Sequence, residues 1–229
     1  MRLSEQMILY EDSAVIVCHK PAGIPVQTAK AGQPDLVSFL KNHRVRAKEE
    51  PYIGTIHRID QPVEGLIAFA KTREAAADLS AQIAGRTTEK VYLAAAEGMP
   101  EKRDGTLVHY LVRDGKNNVS RTAQRGEKNA KYARLFYETA EYDPVRDVSL
   151  LRVILDTGRH HQIRVQLSAA GHPLLGDRKY NPKPQQGNVA LCASRISFDH
   201  PVTGERMTFR TKPENPYFAG FVLLQEPER

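Results

Sequence analysis

The sequence predicts an α+β fold, with a mixed, largely antiparallel central sheet flanked by helices and loops. Three observations carry this reading. Short β-branched and aromatic runs recur along the chain, and a few windows with apolar spacings of three and four residues lie between them. These helical windows do not follow the strands in the strict alternation that a parallel sheet requires. The 229 residues, 41% hydrophobic and 26% charged, are enough for one sizeable core, and no linker composition interrupts them. A single domain over residues 1–229 is therefore expected.

Taken in order, residues 7–10 and 14–20 read as two short strands across the acidic turn Glu11-Asp12-Ser13. Pro21-Ala22-Gly23-Ile24-Pro25 must turn, because the prolines remove donors and restrict the residues before them. Leu36, Phe39 and Leu40 fall at helical spacing behind Asp35, a good N-cap. Residues 66–70 form a compact apolar run fit for a buried strand. Thr72 then caps a helix over residues 75–84 that Gly85 stops. Residues 90–96, 133–139 and 148–155 have the content of strands. Ile163, Leu167 and Ala170 share a helical face that ends at Gly171. Residues 189–198 and 207–211 are late strands around the turn His200-Pro201-Val202-Thr203-Gly204. The polar stretch 98–129 has few apolar positions and is expected to contain a mobile insertion.

No apolar run is long enough to cross a bilayer, and the N-terminal residues meet acids before any apolar core of a signal peptide. Cys18 and Cys192 are too few and too far apart for a disulfide framework or a zinc site. A cytoplasmic protein without metal or membrane partner is expected. The formal net charge is +6, which favours a polyanionic partner. Residues 101–134 alone carry nine Lys and Arg against four acids, so +5 of the +6 sits there. A solvated loop face and a phosphate-tracking surface both fit that composition. The chain has no Trp, so any base stacking must use Tyr, Phe, His or Arg planes.

Three clusters can carry chemistry. In GTIHRIDQPVEGL, residues 54–66, Pro62 and Gly65 make a loop with Asp60 at its start, just ahead of the buried run. Asp60 and Glu64 are four apart, but Pro62 lies between them, so a helical carboxylate pair is excluded. One Asp flanked by His57 and Arg58 remains, and on these residues alone an ordinary turn Asp beside a surface Arg is the better fit. In TGRHHQIR, residues 157–164, a glycine turn meets a helix start dense in donors, the setting of an anion site. The histidines are adjacent, not four apart, which argues against a metal. GDRKY, residues 176–180, is a turn suited to a scaffold role. GxSxG, Walker and GxGxxG loops are absent.

These residues also carry a resemblance. HRIDQPVEGL, residues 57–66, resembles the His-Arg-Leu/Ile-Asp signature of the RluA family of pseudouridine synthases. ILYED and KPAG (residues 20–23) resemble that family's opening, and EKVYLA (89–94) its Lys-x-Tyr motif. TGRHHQIRVQLSAAGHPLLGDRKY (157–180) and LCASRISFDHPVTGE (191–205) are similar to its later blocks. Four motifs in the right order along nearly the whole chain make a specific match.

The resemblance implies an enzyme that converts specific uridines in structured RNA, ribosomal or transfer, to pseudouridine, with base flipping and no cofactor. It implies a catalytic cleft on the sheet, with Asp60 as the nucleophile. Tyr92 lies against the base as the proton-transfer group, and Arg164 pairs with Asp60 and holds it ionised. Leu191 packs beneath the base, and Arg58 enters the space that the flipped nucleotide leaves. His57, Arg159, His161 and Gln162 complete the substrate contacts. The family usually has Arg or Lys at Gln61, a small polar pair at Val63-Glu64 and His at Gln166. None of these departures touches a catalytic group. A monomer without a separate N-terminal RNA-binding module is expected. A non-catalytic RNA-binding protein of the same fold is the alternative, and it would not need Asp60, Tyr92 and Arg164 together.

Overall fold

The computed structural model describes residues 3–30, 32–183 and 186–225. In chain order the elements are β1 (Ile8–Glu11), β2 (Val15–Lys20), α1 (Leu36–Arg46), β3 (Gly54–Thr55), β4 (Glu64–Ala70), α2 (Arg73–Ala84) and β5 (Glu89–Glu97). Then follow β6 (Asp104–Asp114), β7 (Val119–Ala123), β8 (Lys131–Asp143), β9 (Val148–Leu155), α3 (Gln162–Ala169), β10 (Leu191–Asp199) and β11 (Arg206–Arg210). The α+β class holds. The chain forms two compact units, residues 1–90 with 192–212 and residues 91–191 with 213–229.

In the first unit β1, β2 and β4 are antiparallel neighbours, while β10 joins β4 in parallel through Cys192 and Ala193 opposite Glu64 and Gly65. β11 is antiparallel to β10, and β3 pairs with the far end of β4. Every position of β4 is buried, as its unbroken apolar run demands of a strand covered on both faces. Val15, Val17, Leu66, Ala68, Leu79 and Phe198 share its core. α1 and α2 start where their caps predict: Asp35 accepts the Ser38 N–H at 2.7 Å, and Thr72 accepts that of Ala75 at 3.1 Å. α2 ends at Gly85, but the left-handed position falls to Arg86 (φ 60°).

The two ends of this unit are pinned by one carboxylate. Asp12 accepts the N–H groups of Ala14 and Val15 at 2.8 Å, the Tyr10 hydroxyl at 2.9 Å and His200 Nε2 at 2.8 Å. His200 Nδ1 in turn takes the Thr203 N–H at 3.1 Å, so Nε2 carries the ring proton.

In the second unit β5, β9, β8, β6 and β7 are antiparallel neighbours in that order. This corrects the expectation of a mobile insertion at 98–129, which holds all of β6 and β7. Its apolar content is low because the ends of these strands and the turns beside them are polar and charged. Leu107, His109 and Leu111 alternate with Thr106, Val108 and Tyr110, and Leu111 packs with Ala133 against Val165 of α3.

Candidate active site

Asp60 stands on a turn that the chain clasps from behind. Val63 N–H closes the turn on the Asp60 carbonyl at 3.1 Å. The next residue, Gln61, exchanges two bonds with Gly23: its carbonyl accepts the Gly23 N–H at 2.8 Å, and its amide donates to the Gly23 carbonyl at 2.9 Å. Lys20, wholly buried at the end of β2, completes the clasp. Its Nζ donates to the carbonyls of Pro21 (2.9 Å), Ile24 (2.8 Å) and Gln61 (3.1 Å). An ammonium has three donors and no acceptor, so it suits three converging carbonyls as no neutral side chain would. Burial pushes the Lys20 pKa down to about 7, while the Asp60 and Glu64 carboxylates pull it up. Asp60 itself is partly exposed, between buried Ile59 and buried Val63.

Two more residues fix the strand that follows. Gly65 has φ +114°, and an added Cβ would lie 2.5 Å from the Ala193 backbone N and O. Only glycine allows that approach of β4 to β10. His57 is an acceptor here: its Nε2 takes the Ala68 N–H at 3.1 Å, between the stretches of β4 paired with β10 and with β3. Burial, with Lys90 adding to it, lowers the His57 pKa to about 3. The ring is therefore neutral at physiological pH and unsuited to proton transfer there. Arg58 is exposed and has no partner among the described residues.

In the second unit, the TGRHHQIR turn is held by its own polar side chains. Thr157 Oγ1 accepts the Arg134 N–H at 2.9 Å and donates to Gln162 Oε1 at 2.8 Å. Gln162 Oε1 also accepts the Arg159 N–H at 2.9 Å, and its Nε2 donates to the Arg134 carbonyl at 3.0 Å. His161 enters α3 in the left-handed conformation (φ 54°). Ser120 N–H donates to the Tyr180 hydroxyl at 2.8 Å, and that hydroxyl donates to His161 Nδ1 at 2.6 Å. The His161 pKa is pushed down to about 2 by burial and then by Arg164, which keeps the ring a neutral acceptor at Nδ1. His160 stacks on it at 3.7 Å and reaches Ser120 Oγ at 2.8 Å and Asn118 Oδ1 at 3.1 Å.

Arg164, buried on α3, closes a two-bond fork on Asp177: Nε to Oδ2 at 2.8 Å and Nη2 to Oδ1 at 2.7 Å. Its guanidinium also lies 5.0 Å from the centre of the Tyr180 ring. Asp177 is fully buried and takes the N–H groups of Lys179 and Tyr180 as well. Gly176 precedes it with φ +72°, where a Cβ would strike the Asn188 carbonyl oxygen at 2.1 Å.

The first unit thus brings together His57, Arg58 and Asp60; Tyr92, Arg159, His161, Gln162, Arg164 and Leu191 belong to the second. Tyr92 is buried on β5 opposite Val153, and Leu191 is buried at the start of β10. Arg159 is exposed, with its Nε on the Tyr132 carbonyl at 2.9 Å. Lys20, Asp177 and Tyr180 are the residues that sequence reading left without a role, although KPAG and GDRKY pointed at their turns. Among the described residues no cluster of three His, Cys, Asp or Glu side chains is placed to hold a metal, and no helix is long and apolar enough to cross a membrane.

The family model described as RNA pseudouridylate synthase matches residues 14–169. The chain belongs to that family. Ribosomal large subunit pseudouridine synthase D of Nitrosomonas europaea is 36% identical to it over 209 residues, 86% of this chain and 59% of that protein. The uncharacterized RNA pseudouridine synthase YhcT of Bacillus subtilis is 34% identical over 200 residues, 86% of this chain and 65% of its own. The Pseudomonas aeruginosa ribosomal large subunit pseudouridine synthase D is 34% identical over 242 residues, 98% and 73% of the two chains. The chain therefore spans less than two thirds of the length of the first two relatives. Among solved structures, Human RNA Pseudouridylate Synthase Domain Containing 4 has the same fold, with a TM-score of 0.77 at 23% identity over 91% of this chain and 89% of that one.

Proposed function

We propose that this pseudouridine synthase isomerises uridine within RNA, with the Asp60 carboxylate as nucleophile. The observation that carries the reading is the Asp60 turn. A partly exposed carboxylate is held from behind by Lys20, Gly23 and Gln61, inside the HRID signature of the family. A nucleophile needs both properties, access for substrate and a backbone that does not drift.

The substrate uridine leaves its stack at a cost of a few kcal/mol, which phosphate contacts on a basic protein offset. The carboxylate adds to the nucleoside, at the sugar or at the uracil ring, and the N1–C1′ bond breaks. The uracil turns and rejoins C1′ through C5, and the bond to the Asp60 carboxylate breaks, displaced at C1′ or eliminated from the ring, which returns the carboxylate free. C5 then loses its proton and N1 carries one, so product and substrate have the same composition and no cofactor is consumed. Tyr92 serves as the proton-transfer group, Arg164 as the stabilising cation and Leu191 as the apolar floor. Arg58, exposed and unpaired among the described residues, fills the space the base leaves. His57, whose Nε2 holds the Ala68 N–H, and Gln162, whose amide bonds the backbone of Arg134 and Arg159, shape the substrate loops. Arg159 and His161 complete the substrate contacts. Ribosomal RNA is the substrate we favour, since two of the relatives are named for the large ribosomal subunit; transfer RNA is the other. The protein acts as a monomer in the cytoplasm.

Asp60→Asn tests the assignment. It keeps shape and removes the charge and the nucleophilicity, so tritium release from C5-labelled uridine in RNA should fall by several orders of magnitude. RNA affinity and the melting curve should stay near the parent's. Turnover within tenfold of the parent, with binding intact, refutes the role of Asp60.

A further inference from the structure

We infer that the outward side of the β7–β6–β8 sheet is a stacking platform for unpaired RNA bases, a contact distinct from the residues of the reaction. This rests on the reading that the protein acts on RNA. The antiparallel registers set Tyr110 opposite both Ala123 and Tyr132, Val112 opposite Arg121, and Val108 opposite Arg134. Paired residues share a side, so these side chains stand together on one side of three strands. The other side, with Leu111, Ser120 and Ala133, is the one that meets α3 and Tyr180. The sheet has therefore covered its core already, and nothing in its packing asks for apolar residues on the outward side.

They are there nonetheless. Val108 is 49% exposed and Tyr132 is 39% exposed, and the rings of Tyr110 and Tyr132 meet edge to face with centres 6.0 Å apart. An edge-to-face pair on a flat strand surface leaves aromatic area for a third ring to lie on. Cations frame it. Arg134, opposite Val108, flanks the tyrosines, and Arg125 and Lys128, in the turn from β7 to β8, have no partner among the described residues. Arg121 is there too, paired with the acid of this turn, Glu127. Flat aromatic area for bases with free cations for phosphates is the pairing that single-stranded nucleic acid selects. A duplex offers few base faces, whereas a strand opened to extrude one nucleotide exposes its neighbours. The latch through Ser120, His160 and Tyr180 ties β7 to the α3 turn, which makes the platform stiff.

The test uses the full chain and a fluorescein-labelled single-stranded 12-mer RNA of mixed sequence, with an abasic RNA of equal length and a blunt duplex as companions. Tyr132→Thr keeps strand propensity and removes the ring. It should weaken binding about tenfold, and Tyr110→Thr with Tyr132→Thr up to about a hundredfold, while both Phe variants bind like the parent. The salt slope should not change, because no phosphate contact is lost. On abasic RNA, parent and variants should be equal. Unaltered binding by the Thr variants refutes the platform, as does an equal loss on abasic RNA, a preference for duplex, or full competition by polyglutamate. If a Thr variant melts early, 4-thiouridine cross-linking of the parent decides: cross-links at Tyr110 or Tyr132 are required, and their absence is refuting. Tritium release at saturating RNA separates the two readings. A parent that binds RNA without turnover overturns the proposed activity alone, and one that turns over with Tyr132→Thr unaffected in binding overturns the platform alone.

Discussion

Replacing Asp177 should cost stability on the scale of a buried charge pair. Its side chain is fully buried, the Arg164 side chain is 3% exposed, and the two are joined by bonds of 2.7 and 2.8 Å. Asp177→Ala takes both bonds from a guanidinium that remains in the interior and cannot discard its charge. Removing one partner of such a pair costs about 3–5 kcal/mol, against about 0–1 kcal/mol at the surface. The two backbone N–H groups that Asp177 also satisfies lie beside exposed Lys179, where water can take over, so they add little. Asp177→Asn keeps the volume and one acceptor, and should lose one charge-assisted bond, about 1.5–3 kcal/mol. At roughly 2–4 °C per kcal/mol for a chain of this size, melting should drop by about 3–12 °C for Asn and by about 6–20 °C for Ala. Calorimetry with urea titration reads both. An Ala variant that loses under about 1 kcal/mol would show that this pair behaves as a solvated one and that the fork does not seat Arg164.

Two further outcomes follow from the first unit. Gly65→Ala must place its Cβ 2.5 Å from Ala193 backbone atoms at φ +114°, and should destabilise by about 3 kcal/mol or more; Gly32→Ala, at φ +76° with no atom within 4 Å, should cost only the backbone strain of about 1–2 kcal/mol. Equal urea midpoints for the two variants would refute the close approach of β4 to β10. Burial opposes the charge of His43, but its bonds to Glu11 and Glu5 outweigh that and raise its pKa. Its contribution is therefore complete below the unfolded pKa of about 6.5 and is lost as pH rises through the higher folded value. The stability gap between the parent and His43→Ala should shrink from pH 6 upward, and a gap that grows would reverse the argument.

Where an element is defined by its own residues, the sequence was legible. β2, β4, β8 and β9 show in their β-branched and apolar runs, and α1 and α2 in their caps. β6 and β7 did not show, because their ends and the turns beside them are polar and charged, so 98–129 taken whole resembles a loop by composition. The candidate site divides the same way. Asp60 was visible as a turn carboxylate, and only the family motifs separated it from an ordinary turn. The jobs of Lys20 and Asp177 were not visible at all, because each is defined by partners distant in sequence: Gln61 for Lys20 and Arg164 for Asp177. The bond from Asp12 to His200 joins the opening ILYED to the tail HPVTGE, which explains why two motifs at opposite ends occur in one chain.

Lys20 and Asp177 solve one physical problem from opposite signs. Each is a charge taken wholly out of water, and each spends that desolvation on fixing backbone beside a proposed reactive residue: three carbonyls around the ammonium next to Asp60, four donors around the carboxylate that seats Arg164. Apolar residues of equal volume would be as stable or more so, since a buried ion seldom repays its transfer from water. Apolar contacts, however, have no direction. A side chain can slide on its neighbours by a fraction of an ångström at little cost, and an error of about 1 Å in a reacting group costs roughly a hundredfold in rate. Hydrogen bonds to a buried charge are directional, and each one broken leaves an unmet group in a low dielectric. The stability given up at Lys20 and Asp177 is therefore the physical means by which two loops, each rich in Gly, Pro and charge, are held to one conformation.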